Sequence, residues 1–243
     1  MKKLFNKFSI LGIIVILVIL NPWVGNPISK CLVYVNSNKY IAENYDELNL
    51  EKKIGFDFKT TQYYVRLTSP TIPDLYFYLT YNMNGTLQRD SYESYILQGR
   101  NVLYRLEQVY RQEMDIIVEN LTENPLFKDS EVYIFAMLIS ESQGGIDGTT
   151  LELNQQYDIN EIGKAGGLID VMVTFSDYNT SYEQGAMAIQ EIKTILDEAN
   201  LGFRFINFYM VNEDGNFAYQ VDFLPYEEID SPDLAQQIHN LGL

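Results

Sequence analysis

The chain has 243 residues, 47% of them hydrophobic, which is enough for one large or two small packed domains and excludes a disordered segment. It carries 17 basic and 33 acidic residues; residues 1–30 hold four of the lysines and no acid, so the rest sets 13 basic against 33 acidic groups, a net −20. That balance repels nucleic acid and anionic lipid, which argues against a DNA- or RNA-binding role and leaves a basic partner, a divalent cation, or solubility and spacing from an anionic envelope as its uses.

The N-terminus is built for export or anchoring. Lys2, Lys3 and Lys7 precede the apolar run Phe8 to Leu20, interrupted only by Ser9 and Gly12, and Asn21-Pro22-Trp23-Val24-Gly25 follows. A full span needs roughly 20 apolar residues and a cleaved signal about 7–15, so the run has signal length. No small-x-small cleavage site follows it, however, and Trp23, the only tryptophan, stands where an aromatic belt would lie. Residues 1–25 are therefore expected to be an uncleaved transmembrane anchor with the bulk of the chain outside, and a secreted protein is the alternative.

Asn26-Pro27 reads as a helix N-cap followed by proline at the first helical position, opening a helix to about Asp46 with Ile28, Leu32 and Val35 on one face. Ile54 to Thr68, rich in Phe, Tyr, Thr and Val, predicts one or two strands. Asp74 to Tyr81 alternates, with Leu75, Phe77 and Leu79 on one side and Tyr76, Tyr78 and Thr80 on the other, and Asn84-Gly85 marks a hairpin turn into Thr86–Arg89. Ser91 to Leu121 carries one apolar stripe and predicts a single helix of about thirty residues, with Gly99 in its interior. Asn124-Pro125 stops it and is the expected boundary between domains at 26–123 and 124–243.

Beyond it, Val132 to Ile139 reads as a buried strand, and Tyr157 to Lys164 as a short helix. The strand Leu168 to Phe175 follows, and Ser181 with Gln184 then suggests a capping box for a helix lined by Ala186, Ile189, Ile192, Leu196 and Ala199. Phe203–Val211 and Phe217–Leu224 form a hairpin around Asn212-Glu213-Asp214-Gly215-Asn216, and Pro232 opens a last short helix. The expected fold class is α+β: an N-terminal transmembrane or signal helix, then two small antiparallel-sheet domains with helices on one face.

Few motifs carry chemistry. The one histidine, His239, sits at the far C-terminus without spacing to Ser69, Ser140 or Ser142, and the one cysteine, Cys31, excludes an internal disulfide and is expected to be an ordinary small core residue. No HExxH or CxxC occurs, Asn212 to Asn216 lacks the spacing of a calcium loop, and the pairs Gly144-Gly145 and Gly166-Gly167 match no phosphate loop, so no metal and no cofactor is expected. Asp170 and Asp222 are the two acids nearest to apolar strand interiors; neighbouring strands would place them on one side, as a carboxylate pair for hydrolysis requires. The aromatic residues of the first sheet, Tyr63, Tyr76 and Tyr78, are the candidate binding residues, because a sheet with rings on both faces has one face to spare for a ligand.

Gly25-Asn26-Pro27-Ile28-Ser29-Lys30, the Tyr- and Ala-containing helix through Tyr45, Phe56-Asp57-Phe58-Lys59, Tyr63-Tyr64-Val65 up to Ser69-Pro70, Phe77-Tyr78-Leu79 and Asp90-Ser91-Tyr92-Glu93 resemble the YfjL-like proteins of Gram-positive bacteria. The resemblance covers the anchor and roughly residues 25–115; the second half is similar to their C-terminal region in layout only. It implies a membrane-anchored envelope protein with a small α/β module and supplies no catalytic residue. By shape the first half also looks like PepSY-type modules. The expected function is a membrane-anchored binding protein outside the cell, one that neutralises a basic exported peptide or protein. The alternatives are an envelope-polymer hydrolase using Asp170 and Asp222, and a passive spacer.

Overall fold

The computed structural model describes residues 25–121 and 123–241. The segment expected to be the anchor lies outside the described residues, apart from Gly25; among the described residues no helix is long and apolar enough to cross a membrane. By its internal contacts the chain divides into two units, one ending at Asn101 and the other beginning at Val102.

The first unit opens with helix α1 (Pro27–Asn44), where the Asn26 side chain accepts the Ile28 N–H at 2.8 Å, as the sequence predicts. A four-stranded antiparallel meander follows: β1 (Glu51–Asp57), β2 (Gln62–Thr68), β3 (Tyr76–Tyr81) and β4 (Leu87–Asp90). Tyr63, Val65 and Leu67 of β2 and Phe77, Leu79 and Tyr81 of β3 alternate inward and are buried. The face of α1 turned to the core carries Ser29, Val33 and Ser37. Ile28, Leu32 and Val35, the apolar positions of the sequence pattern, are exposed, and so is Cys31. Both expectations are corrected here: the stripe and the cysteine face outward.

Polar bonds dictate that orientation. One oxygen of Asp90 accepts from the hydroxyls of Tyr40 (2.9 Å) and Tyr45 (2.5 Å), and its other oxygen accepts the Tyr92 N–H at 2.8 Å. The Tyr45 ring packs edge-on against Phe77 at 4.8 Å, and Asn36 donates to the Gly85 carbonyl at 2.7 Å. Rotating α1 to bury Ile28 and Val35 would break all of these bonds.

The predicted thirty-residue helix is two pieces. A π-turn (Glu93–Leu97) ends at Gly99, whose φ of +64° is cheap only for glycine, and α2 runs from Arg100 to Leu121. Asn101 fixes the break by donating to the carbonyls of Asp74 and Tyr76, each at 2.7 Å.

In the second unit α2 buries Leu106, Tyr110, Met114, Ile117 and Leu121. The sheet has the order β5 (Glu131–Leu138), β6 (Gly167–Thr174), β7 (Phe205–Val211), β8 (Phe217–Pro225), with α3 (Ile159–Gly166), α4 (Tyr182–Glu198) and α5 (Leu234–Leu241). Strands β6 and β7 are parallel, which corrects the all-antiparallel expectation. The reason is α4: a helical crossover returns the chain to the end where β6 began, whereas a hairpin cannot. Ile169, Val171, Ile206, Phe208 and Val221 share one core with α2, α4 and α5. Tyr110 donates to the Gly202 carbonyl at 2.9 Å, and a Cβ at Gly163 would lie 1.9 Å from that same oxygen, so α3 packs there only as glycine. Strand β5, expected to be buried, is an edge strand with alternate residues exposed.

Burial, with Asp90 beside it, pushes the Tyr40 hydroxyl up to about 12, and Tyr45 moves in the same direction for the same causes. Both are neutral in the folded and unfolded chain below pH 10. Above it the unfolded chain loses these protons first, so stability is present below pH 10 and is lost as pH rises towards 12. Urea unfolding followed across that window should show a falling midpoint, and Asp90→Asn should shorten the lag between tyrosinate absorbance in folded and unfolded protein.

Candidate functional site

Helices cover one face of the second sheet, and alternation turns the remaining side chains to the other. Strand β5 contributes Tyr133 and Phe135, 64% and 45% exposed, and β8 contributes Phe217 and Phe223, 53% and 45% exposed. Between them lie Asp170 on β6, Asn207 and Tyr209 on β7, and Asp222 on β8. Asp170 stands in register with Phe135 on one side and Asn207 on the other, and Met172 stands between Tyr133 and Tyr209.

A bulge assembles the centre. The β7–β8 register shifts between Ile206 and Phe208, leaving Phe223 with φ +52°, a left-handed backbone that costs a bulky residue about 1–2 kcal/mol. Its N–H donates to Asn207 Oδ1 at 2.7 Å, and Asn207 Nδ2 donates to Asp170 Oδ1 at 2.6 Å. One buried amide thus holds the bulge and orients the first carboxylate. The Tyr209 hydroxyl donates to Asp222 Oδ1 at 3.3 Å, and Gln220 reaches the other oxygen at 3.3 Å. Burial raises the Tyr209 pKa, and the charges of Asp222 and then Asp170 raise it further, so the hydroxyl stays a donor. The edge rings pair, Phe205 with Phe223 at 5.7 Å and Tyr209 with Phe217 at 5.5 Å.

Asp170 and Asp222 therefore share a face, although β7 separates their strands. Among the described residues neither forms an ion pair. The face is an open sheet: carboxylates spaced among aromatic rings can take ammonium or guanidinium groups by charge-assisted hydrogen bonds and ring-face attraction. Among the described residues no cluster of three or more His, Cys, Asp or Glu side chains could hold a metal ion.

The other sequence candidates fall elsewhere. Tyr63 lies in the core of the first unit, its hydroxyl donating to the Asn26 carbonyl at 2.8 Å, and presents no surface. Tyr76 and Tyr78 point to the opposite face, half-buried by Tyr95, whose ring lies 6.2 and 5.8 Å from theirs. That face carries its own cations, with Arg66 over Tyr76 at 5.5 Å and Arg100 over Tyr95 at 5.3 Å. His239 packs edge-on to Tyr182 at 4.8 Å, and Ser69 caps its turn by accepting the N–H groups of Thr71 and Ile72. Asn212 accepts the N–H groups of Asp214 and Asn216, which is turn chemistry. A separate cleft of about 450 Å³ is lined by Asn160, Lys164, Arg204 and Tyr226 among others; near it Lys193 is paired with Asp197 at 2.8 Å and Asp230 at 3.2 Å.

Sequence reasoning missed the aromatic residues of the second sheet because their strands read as core. It also missed a segregation that counting shows: residues 1–101 hold 11 basic and 8 acidic residues, and 102–243 hold 6 and 25, so the second unit carries −19.

A family model for the YfjL-like C-terminal domain matches residues 109–239, and one for the YfjL-like N-terminal domain matches residues 1–90. The chain belongs to the YfjL-like family. No curated protein and no solved structure matches it. Within this YfjL-like chain the open face from Tyr133 to Phe223 lies wholly inside the C-terminal match, and Tyr63, Tyr76 and Tyr78 lie inside the N-terminal one.

Asn207→Ala should cost about 1–3 kcal/mol, because it orphans the Phe223 N–H and one bond of Asp170. Hydrogen exchange should locate the change at Phe223 and leave the buried strand β6 protected.

Proposed function

We propose that this YfjL-like protein is a membrane-anchored binding protein on the outer face of a Gram-positive cell, and that its second unit captures a basic exported peptide or protein so as to neutralise it. The observation that carries this reading is the pair of carboxylates, Asp170 and Asp222, without cationic partners among the described residues and set between four exposed aromatic rings. The −19 of the second unit adds long-range attraction for a polycation. Arginines lie over rings of both sheets, Arg66 over Tyr76 in the first and Arg111 over Phe135 at 4.3 Å and Arg204 over Phe205 at 5.3 Å in the second, so the distinguishing feature of the second face is its pair of carboxylates. The binding surface in this reading is therefore the second sheet.

A hydrolase reading draws on the same two carboxylates sharing one face. It needs a concave site around a polymer chain, and an open sheet offers less of one than catalysis requires.

Binding of a labelled arginine-rich peptide containing aromatic residues, followed by anisotropy at low and high salt, tests the proposal. Replacing both carboxylates, as Asp170→Asn with Asp222→Asn, removes two charge-assisted contacts of about 1.5–3 kcal/mol each and should weaken binding by tenfold or more. Tyr133→Ser should weaken it, and Tyr78→Ala should leave it unchanged. Unchanged binding by the carboxylate variant together with loss on Tyr78→Ala would move the site to the first sheet.

A further inference from the structure

The described residues of the first unit leave one apolar surface without a function. Along the outward side of α1, Ile28, Leu32 and Val35 are 72%, 43% and 57% exposed, and Cys31 lies exposed among them at helical spacing. Isolated exposed hydrophobic residues need no explanation, but a stripe along one side of a helix does. The stripe cannot turn inward, because Tyr40 and Tyr45 hold α1 to Asp90, and Asn36, next to Leu32 along the helix, holds it to the Gly85 carbonyl.

Two features say what covers it. The apolar run ends at Leu20, seven residues before Pro27; a fully extended connection of that length spans at most about 25 Å. Wherever that run is held, α1 is held beside it. The second feature is charge. In a chain with 33 acids the first is Glu43, and residues 1–42 contain five lysines and no acid. Within α1, Lys30 and Lys39 are the only charges before it. A helix with two lysines and a single acid, Glu43 in its last turn paired with Lys39 at 3.8 Å, and with an apolar outward stripe complements an anionic lipid surface, whereas the second unit at −19 is repelled by one.

We infer that the outward face of α1 lies in the headgroup region of an anionic bilayer, so that Ile28, Cys31, Leu32 and Val35 seat the first unit on the membrane. The inference rests on the anchored reading and deepens it: the first unit stands on lipid instead of swinging on a tether. Four partly exposed side chains bind lipid weakly alone, so the contact depends on the high local concentration that the anchor provides.

Cys31 is the only cysteine of the chain and lies within the stripe, which makes it the probe. The full chain, labelled there with an environment-sensitive fluorophore, is reconstituted into phosphatidylglycerol-containing vesicles. Flotation reports attachment, and quenching by doxyl-lipid or by aqueous iodide reports the position of residue 31. A second protein, Cys31→Ser with Lys59→Cys, carries the label in the exposed β1–β2 turn. The expected result is flotation of both, a blue shift and doxyl quenching at residue 31, and iodide quenching several-fold weaker there than at residue 59. Flotation with equal iodide access at both positions overturns the inference and leaves the anchor intact. Protection of residue 31 from both quenchers means that a second copy or another protein covers the stripe, which also overturns it. Failure to float defeats the anchored reading, and the inference with it.

Discussion

Each of the two four-stranded sheets is covered by helices on one face, and that one-sidedness organises what the molecule can do. A half-covered sheet alternates strictly, so every residue that faces its helices fixes its neighbour outward. In the first unit Tyr63, Val65, Phe77 and Leu79 take the inward positions, and Tyr64, Arg66, Tyr76 and Tyr78 must then face away. In the second, Ile169, Val171, Ile206 and Phe208 take them, and Asp170, Met172, Asn207 and Tyr209 follow outward. The outward sets are by-products of the core pattern in position and not in chemistry. Arginines lie over rings of both; one is a ladder of tyrosines, the other a field of aromatic residues with carboxylates at its centre.

That difference follows the distribution of charge. The acidic excess of the chain belongs almost wholly to the second unit, and its first 42 residues contain no acid at all. A uniform acidic coat would serve solubility and nothing else. A chain that is lysine-bearing through its apolar run and acidic beyond residue 101 has the charge grading that the proposed membrane anchoring calls for.

Much of the fold is legible in the sequence, because it rests on local chemistry. Asn26-Pro27 starts α1, Ser181 accepts the Gln184 N–H to start α4, and Asn212 to Asn216 turn β7 into β8. What escapes is decided by partners distant in sequence. The spacing of Ile28, Leu32 and Val35 shows that they share a face of α1, but Asp90, fifty residues beyond Tyr40, decides which face docks. Gly99 looks like a tolerated interior glycine until its positive φ breaks the helix. The strand, helix, strand order of β6, α4 and β7 contains the parallel pairing, and reading the elements without the crossover rule loses it. Asp170 and Asp222 are legible as outward residues by alternation; their common centre is not, since it depends on Asn207 bridging a bulge.

The bulge also bears on why the open face exists. Strict alternation would send Phe223 inward beside Val221, and the extra residue turns it out while Leu224 takes the buried place. The fold thereby holds a bulky residue in a left-handed backbone conformation and exposes its ring, two unfavourable contributions at one position. The remedy within the fold is partial: Asn207 satisfies the freed N–H, and Phe205 covers one side of the ring. Glycine at this position would relieve the backbone, and a polar side chain would relieve the exposure. Neither is present, and the same strand sets Asp222 beside the exposed ring. In the proposed binding reading, a partner that brings a cation to Asp222 and an apolar side chain to Phe223 removes the second of these, the exposure of the ring, while the backbone stays as the bulge sets it.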